Sequence, residues 1–100
     1  MLANAGMMII KEFLMTTWRK LIQREMAHHG ETFDIVVDSV SAVDNWLDIE
    51  FDNSYGIAQG PAFTLWTEKR VYFPCDYDGS EFVFSVPRNP NNEITFHCGQ

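Results

Sequence analysis

The sequence predicts a single α+β domain, with helices in its first half packed on a three- to four-stranded antiparallel sheet in its second. Three observations predict it. Apolar residues recur at helical spacing from Trp18 to Met26. From Ala62 to Val86 the pattern changes to alternation, interrupted by the hairpin dipeptide Asp78-Gly79. The chain of 100 residues is 46 % hydrophobic and 14 % aromatic, which suits one packed core and leaves no room for a second.

Residues 1–14 read as an N-terminal extension, and the domain proper as 15–100, because Met15 opens a new phrase in which Thr17 can cap a helix. That helix is expected over about 17–29. Trp18, Leu21, Ile22 and Met26 form its buried stripe, and Arg19, Lys20, Gln23 and Arg24 face water. Gly30 stands where a helix terminator belongs, after His28 and His29. Ile35-Val36-Val37 carries strand propensity, but Phe33, Val36, Val37 and Val40 fall at i, i+3, i+4 and i+7 behind Thr32. The spacing predicts a second helix over 33–40. Ser41 with Asp44 resembles a capping box and predicts a third over 42–51, burying Val43, Leu47 and Phe51.

After the turn-rich stretch 53–61, strands are expected at about 62–67, 70–77 and 80–86, with a short fourth at 93–98. Phe63, Leu65, Val71, Phe73, Phe82, Phe84 and Val86 are assigned to the core face. Trp66, Tyr72 and Tyr77 then fall on the opposite face or rim beside Arg70, an aromatic and arginine cluster of the kind that anchors protein interfaces.

The charge is unevenly spread. Residues 1–30 hold four bases and two acids. Residues 31–60 hold seven acids and no Lys or Arg, and residues 61–100 hold five acids and three bases, for a net charge of −7. Such a field repels nucleic acid and anionic membrane and attracts basic protein surfaces. Helices at 33–40 and 42–51 would display Asp34 and Asp38, and Asp44, Asp48 and the following Asp52, as two adjoining exposed ridges. These acids, with Glu50, Trp66, Arg70 and Tyr72, are the expected partner-binding residues.

Catalytic and metal chemistry finds little support. Cys75, Asp76 and His97 supply residue types for nucleophilic catalysis without a surrounding signature. His28, His29, His97 and Cys98 match no recurrent zinc spacing. No phosphate-binding glycine loop is present, so no cofactor is expected and the chain reads as a non-enzyme. No signal peptide is legible, which makes a cytoplasmic location with reduced thiols the expectation.

The segments FTLWTEKRVYFP (Phe63–Pro74), YDGSEFV (Tyr77–Val83) and SVPRNP (Ser85–Pro90), with TTWRKLI and HGETFD upstream, resemble a recurring block in small proteins of phages and mobile elements. The resemblance covers most of the chain after Met15 and assigns no catalytic residue. Its genomic company implies counter-defence. By analogy with anti-CRISPR inhibitors, the expected function is occupation of a basic DNA-binding surface on a CRISPR–Cas effector subunit in the host cell, acting as a DNA mimic. An immunity protein or antitoxin that neutralises a basic toxin is the alternative.

Overall fold

The computed structural model describes residues 15–54 and 57–98. The order of elements is β1 (Met15–Thr16), α1 (Trp18–His28), a 3-10 turn (Phe33–Ile35), β2 (Val36–Ser41), β3 (Phe51–Asp52), β4 (Phe63–Thr67), β5 (Arg70–Tyr77) and β6 (Ser80–Pro87). β1 and β3 form a two-stranded antiparallel ribbon, and the remaining strands form an antiparallel sheet in the order β2-β4-β5-β6. The α+β class stands, but with one helix among the described residues and more strand than helix. The expected extension at 1–14 lies outside the described residues.

α1 forms where its spacing predicts. Thr17 is extended and its hydroxyl accepts from the Lys20 N–H at 3.3 Å, satisfying one orphan donor of the first turn. Trp18, Leu21, Ile22 and Met26 are all buried. Beyond the helix Gly30 takes φ +68°, a conformation that other residues rarely adopt. The Glu31 N–H then closes back on Met26 O at 2.9 Å.

The helix expected over 33–40 does not form. After one 3-10 turn the chain becomes β2 and pairs with β4, from Val36 opposite Thr67 to Ser41 opposite Phe63. β-Branched residues suit this pleated edge, and a register shift between Val36 and Asp38 explains the misleading spacing. Around a bulge the valines follow neither period cleanly, and Val37 and Val40 are exposed instead of forming a buried stripe.

The helix expected over 42–51 is likewise absent. Asn45 sits at φ +58°, and its carbonyl accepts from the Asp48 and Ile49 N–H groups in a compact turn. That turn brings Trp46, not Val43, inward: its indole stacks on Phe63 with centroids 4.6 Å apart, while Val43 is exposed and Leu47 half-buried. Phe51 is buried as expected, but from β3.

The expected strand over 93–98 is also absent, and β2 supplies the fourth strand instead. Side chains fasten the C-terminal segment. Arg70 holds Glu93 through two bonds of 2.8 and 2.9 Å, and Cys98 is disulfide-bonded to Cys75 with Cα atoms 6.4 Å apart. The expected reduced thiols are therefore replaced by a bridge.

The core lies between α1 and one face of the sheet. Trp18 packs at 4.8 and 5.0 Å from the rings of Phe51 and Phe63, and its indole N–H donates to Pro61 O at 2.8 Å. Leu65, Tyr72 and Val83 complete the contact. Only β4 keeps its expected inward residues. Leu65 pairs with Tyr72 and Trp66 with Val71, so Val71, Phe73, Phe82, Phe84 and Val86 lie on the sheet face opposite Leu65. The two-residue connection Glu68-Lys69 dictates this, because cross-strand partners share a face. The hairpin at Asp78-Gly79 forms as expected, with φ +53° and +82°.

Candidate functional site

The acids expected to bind a partner lie on the segment that follows α1, runs along the β2 edge of the sheet and returns to the start of α1. Asp34 occupies the 3-10 turn and bonds the Thr32 hydroxyl. Asp38 lies on β2 as the cross-strand partner of Trp66, so two of the expected residues do meet. Asp44 and Asp48 belong to the turn before β3, and Glu50 follows it. Asp34, Asp38, Asp44, Asp48 and Glu50 are exposed, whereas Asp52 is half-buried in β3. They lie along one band of sequence that includes the β2 edge and the turn before β3, not on the two helical ridges expected.

Arg19 joins the two ends of this band. Its backbone N–H donates to Leu47 O at 3.0 Å, and its guanidinium grips Asp48 with bonds of 2.7 and 3.0 Å. The same guanidinium stands over the Phe33 ring, 5.2 Å from its centroid. The Arg19 hydrogen bonds hold the Asp48 carboxyl below the usual carboxylate range. Asp52 is lowered too, by the hydroxyl and N–H of Ser54. Arg19 neutralises Asp48 locally, which leaves Asp34, Asp38, Asp44 and Glu50 as the acids of the band open to an incoming base.

Apolar side chains interleave with these acids. Ile35, Val37, Val40, Val43 and Ile49 make up five of the nine large apolar side chains exposed among the described residues. Val37 and Val40 are the most open of the five, at 59 % and 56 %. Open carboxylates and open β-branched side chains therefore alternate along this segment.

The aromatic cluster expected around Arg70 dissolves. Trp66 is half-buried on the sheet face away from α1, while Arg70 and Tyr72 are buried on the face toward it. There they belong to a polar network that the residue types alone do not announce. Tyr72 donates its hydroxyl to Glu31 at 2.6 Å, and the Thr67 hydroxyl lies 3.1 and 3.0 Å from the two oxygens of the same carboxylate. Arg70 reaches Ser85 Oγ at 2.9 Å and Ser85 O at 3.1 Å. Ser85 in turn donates to Glu25 Oε2 at 2.7 Å, an oxygen that His29 Nε2 also approaches at 3.0 Å. Burial, together with the Glu31 carboxylate, pushes ionisation of the Tyr72 phenol well above its ordinary range.

Glu25, Glu31, Thr67, Ser85 and Glu93 therefore escaped the sequence reading as a linked set. The usable signal was the short β4–β5 connection. It puts Thr67, Arg70 and Tyr72 on the Leu65 face, where polar groups must find partners. They do. Among the described residues no buried side-chain nitrogen or oxygen lacks a hydrogen bond. This closed network is a scaffold that holds α1 to β5 and β6, with each carboxylate engaged by neighbouring donors.

Among the described residues no group of three or more His, Cys, Asp or Glu side chains is placed to hold a metal ion, and no helix is long and apolar enough to cross a membrane. Comparison with protein-family models, curated proteins and solved structures finds no match to this chain.

Proposed function

We propose that the chain is a non-catalytic binding protein whose acidic edge occupies a basic surface on another macromolecule. The carrying observation is the band itself: Asp34, Asp38, Asp44 and Glu50 are exposed on a segment, residues 31–60, that contains no Lys or Arg. Of the bases beside it, Arg19 is already committed to Asp48, and Lys69 shares a cavity with Asp34, Val36 and Val37. The polar network at Glu31, Arg70 and Tyr72 supports the non-catalytic reading, because its groups are spent on one another.

The narrower reading is an inhibitor of a host defence nuclease complex, of the anti-CRISPR type. A row of carboxylates would stand in for phosphates in a DNA-binding channel of that complex. It rests on the acidic band together with the phage-like sequence block. Like charge disfavours nucleic acid and anionic membrane as partners. Affinity capture from host cells that carry a CRISPR–Cas system tests it directly. Recovery of the effector, in a complex weakened by salt and unable to bind its DNA, is the expected result. Recovery of a basic toxin instead would move the assignment to an immunity protein.

A further inference from the structure

The acidic segment includes an open sheet edge, with Asp38 on β2 and Asp34 and Asp44 in the chain on either side of it. β2 lies at the end of the order β2-β4-β5-β6 and is paired on one side only among the described residues. An unpaired edge is a template for another strand, and edges of soluble proteins are commonly guarded against unwanted pairing. Two guards are present here. The register shift between Val36 and Asp38 breaks the regularity of the strand. The Asp38 carboxylate folds back to accept the Ser39 N–H at 2.8 Å, so this donor of β2 already has an acceptor.

We infer that β2 is a docking edge for an extended basic segment of the partner, which adds beside it as a further strand. This inference rests on the acidic-edge reading above and specifies how that edge is used. Asp38 and Val40 face the same side of the sheet, opposite Trp66 and Thr64 respectively. An incoming strand with a Lys or Arg and an apolar residue two positions apart matches both. The base draws Asp38 away from the Ser39 N–H, which then pairs with a carbonyl of the incoming chain. The apolar residue covers Val40.

Charge selects this occupant over a second copy of the chain. Edge-to-edge pairing of two β2 strands would bring together two copies of Asp38 and of the acids that flank the strand, Asp34 and Asp44, with no base on either strand, which costs free energy. An uncharged strand lacks the base that releases Asp38. The device therefore admits basic segments and discourages self-association.

The test uses the whole protein and two synthetic heptapeptides. Lys-Thr-Val-Thr-Lys-Thr-Val carries bases and valines on one face of a strand. Lys-Pro-Val-Pro-Lys-Pro-Val keeps those side chains and that charge but lacks the N–H donors of the three intervening positions, which face one edge of a strand. Amide NMR is expected to map the first peptide to Val36–Ser41, with slowed exchange at Ser39. The second should bind about tenfold or more weakly. Equal affinity for the two, with no slowed exchange, would overturn strand addition while leaving the acidic-edge reading intact. Binding of neither at low salt would overturn the inference and weaken that reading too. In parallel, Asp38→Asn should keep the fold and lose affinity for the first peptide; unchanged affinity would refute the role given to Asp38.

Discussion

Tyr72 donates its hydroxyl to a Glu31 oxygen at 2.6 Å, tying the middle of the sheet to the residue that ends the α1 cap. Both side chains are buried, so this contact holds the start of the acidic segment against the domain. Tyr72→Phe should lower stability by about 2 kcal/mol, since it removes a hydrogen bond to a charged group. Glu31→Ala should cost more, about 3 kcal/mol, because Tyr72 and Thr67 would both lose their acceptor. Urea unfolding at neutral pH measures each. Equal, negligible losses would mean that the network is ornamental.

The same contact makes stability sensitive to alkali. The folded-state ionisation of Tyr72 is raised above its ordinary value of 10.0, first by burial and then by Glu31. The unfolded chain therefore releases the phenolic proton first. Stabilisation is full below about pH 10 and declines as pH rises beyond it. In Tyr72→Phe this part of the decline should disappear. Phenolate absorbance that rises to its full value before unfolding would contradict the arrangement.

Gly60 is required by close approach. A Cβ there would lie 2.5 Å from Trp18 Cζ2 and 2.8 Å from Phe51 Cζ, both on rings at the centre of the core. The adjoining backbone has little freedom to retreat, because the Gln59 and Gly60 N–H groups both donate to the buried Glu81 carboxylate at 2.8 and 2.9 Å. Gly60→Ala should destabilise by about 2 kcal/mol through overpacking, read as a lower thermal midpoint. Retention of the wild-type midpoint would show that the loop can move aside.

The disulfide fastens a segment that has no strand pairing. Cys75 and Cys98 are separated by 23 positions, a loop for which cross-linking contributes about 3 kcal/mol. Cys98→Ser should lose most of that while leaving α1 and β4–β6 intact. Amide exchange should quicken over 93–98 and little elsewhere. Quickening throughout the sheet would show that the bridge supports the core itself.

Elements with an unambiguous local pattern were legible in the sequence. Thr17, the Trp18–Met26 stripe and Gly30 agree on one helix, and Asp78-Gly79 agrees with the strands around it. The segment 33–51 was not legible, because helical spacing of valines competes with their strand propensity and pairing with β4 decides the outcome. The sheet faces were misread at β5 and β6, although the two-residue Glu68-Lys69 connection contains the answer. Large aromatics at Phe73, Phe82 and Phe84 drew the core to the wrong face, while Thr67, Arg70 and Ser85 are buried because they satisfy one another. The acids at Asp34, Asp38, Asp44 and Glu50 were correctly read as exposed, but the elements carrying them were not.

Charge reversal at the acidic edge tests the account most directly. Lysines at Asp34, Asp38, Asp44 and Glu50 leave Asp48 paired with Arg19 and the buried network untouched, so the fold should survive, as circular dichroism can verify. Affinity for the captured partner should fall about a hundredfold or more, and its salt dependence should flatten or invert. A folded quadruple variant that binds that partner as tightly as the wild type, with the same salt dependence, would contradict the proposal that this edge is the binding face.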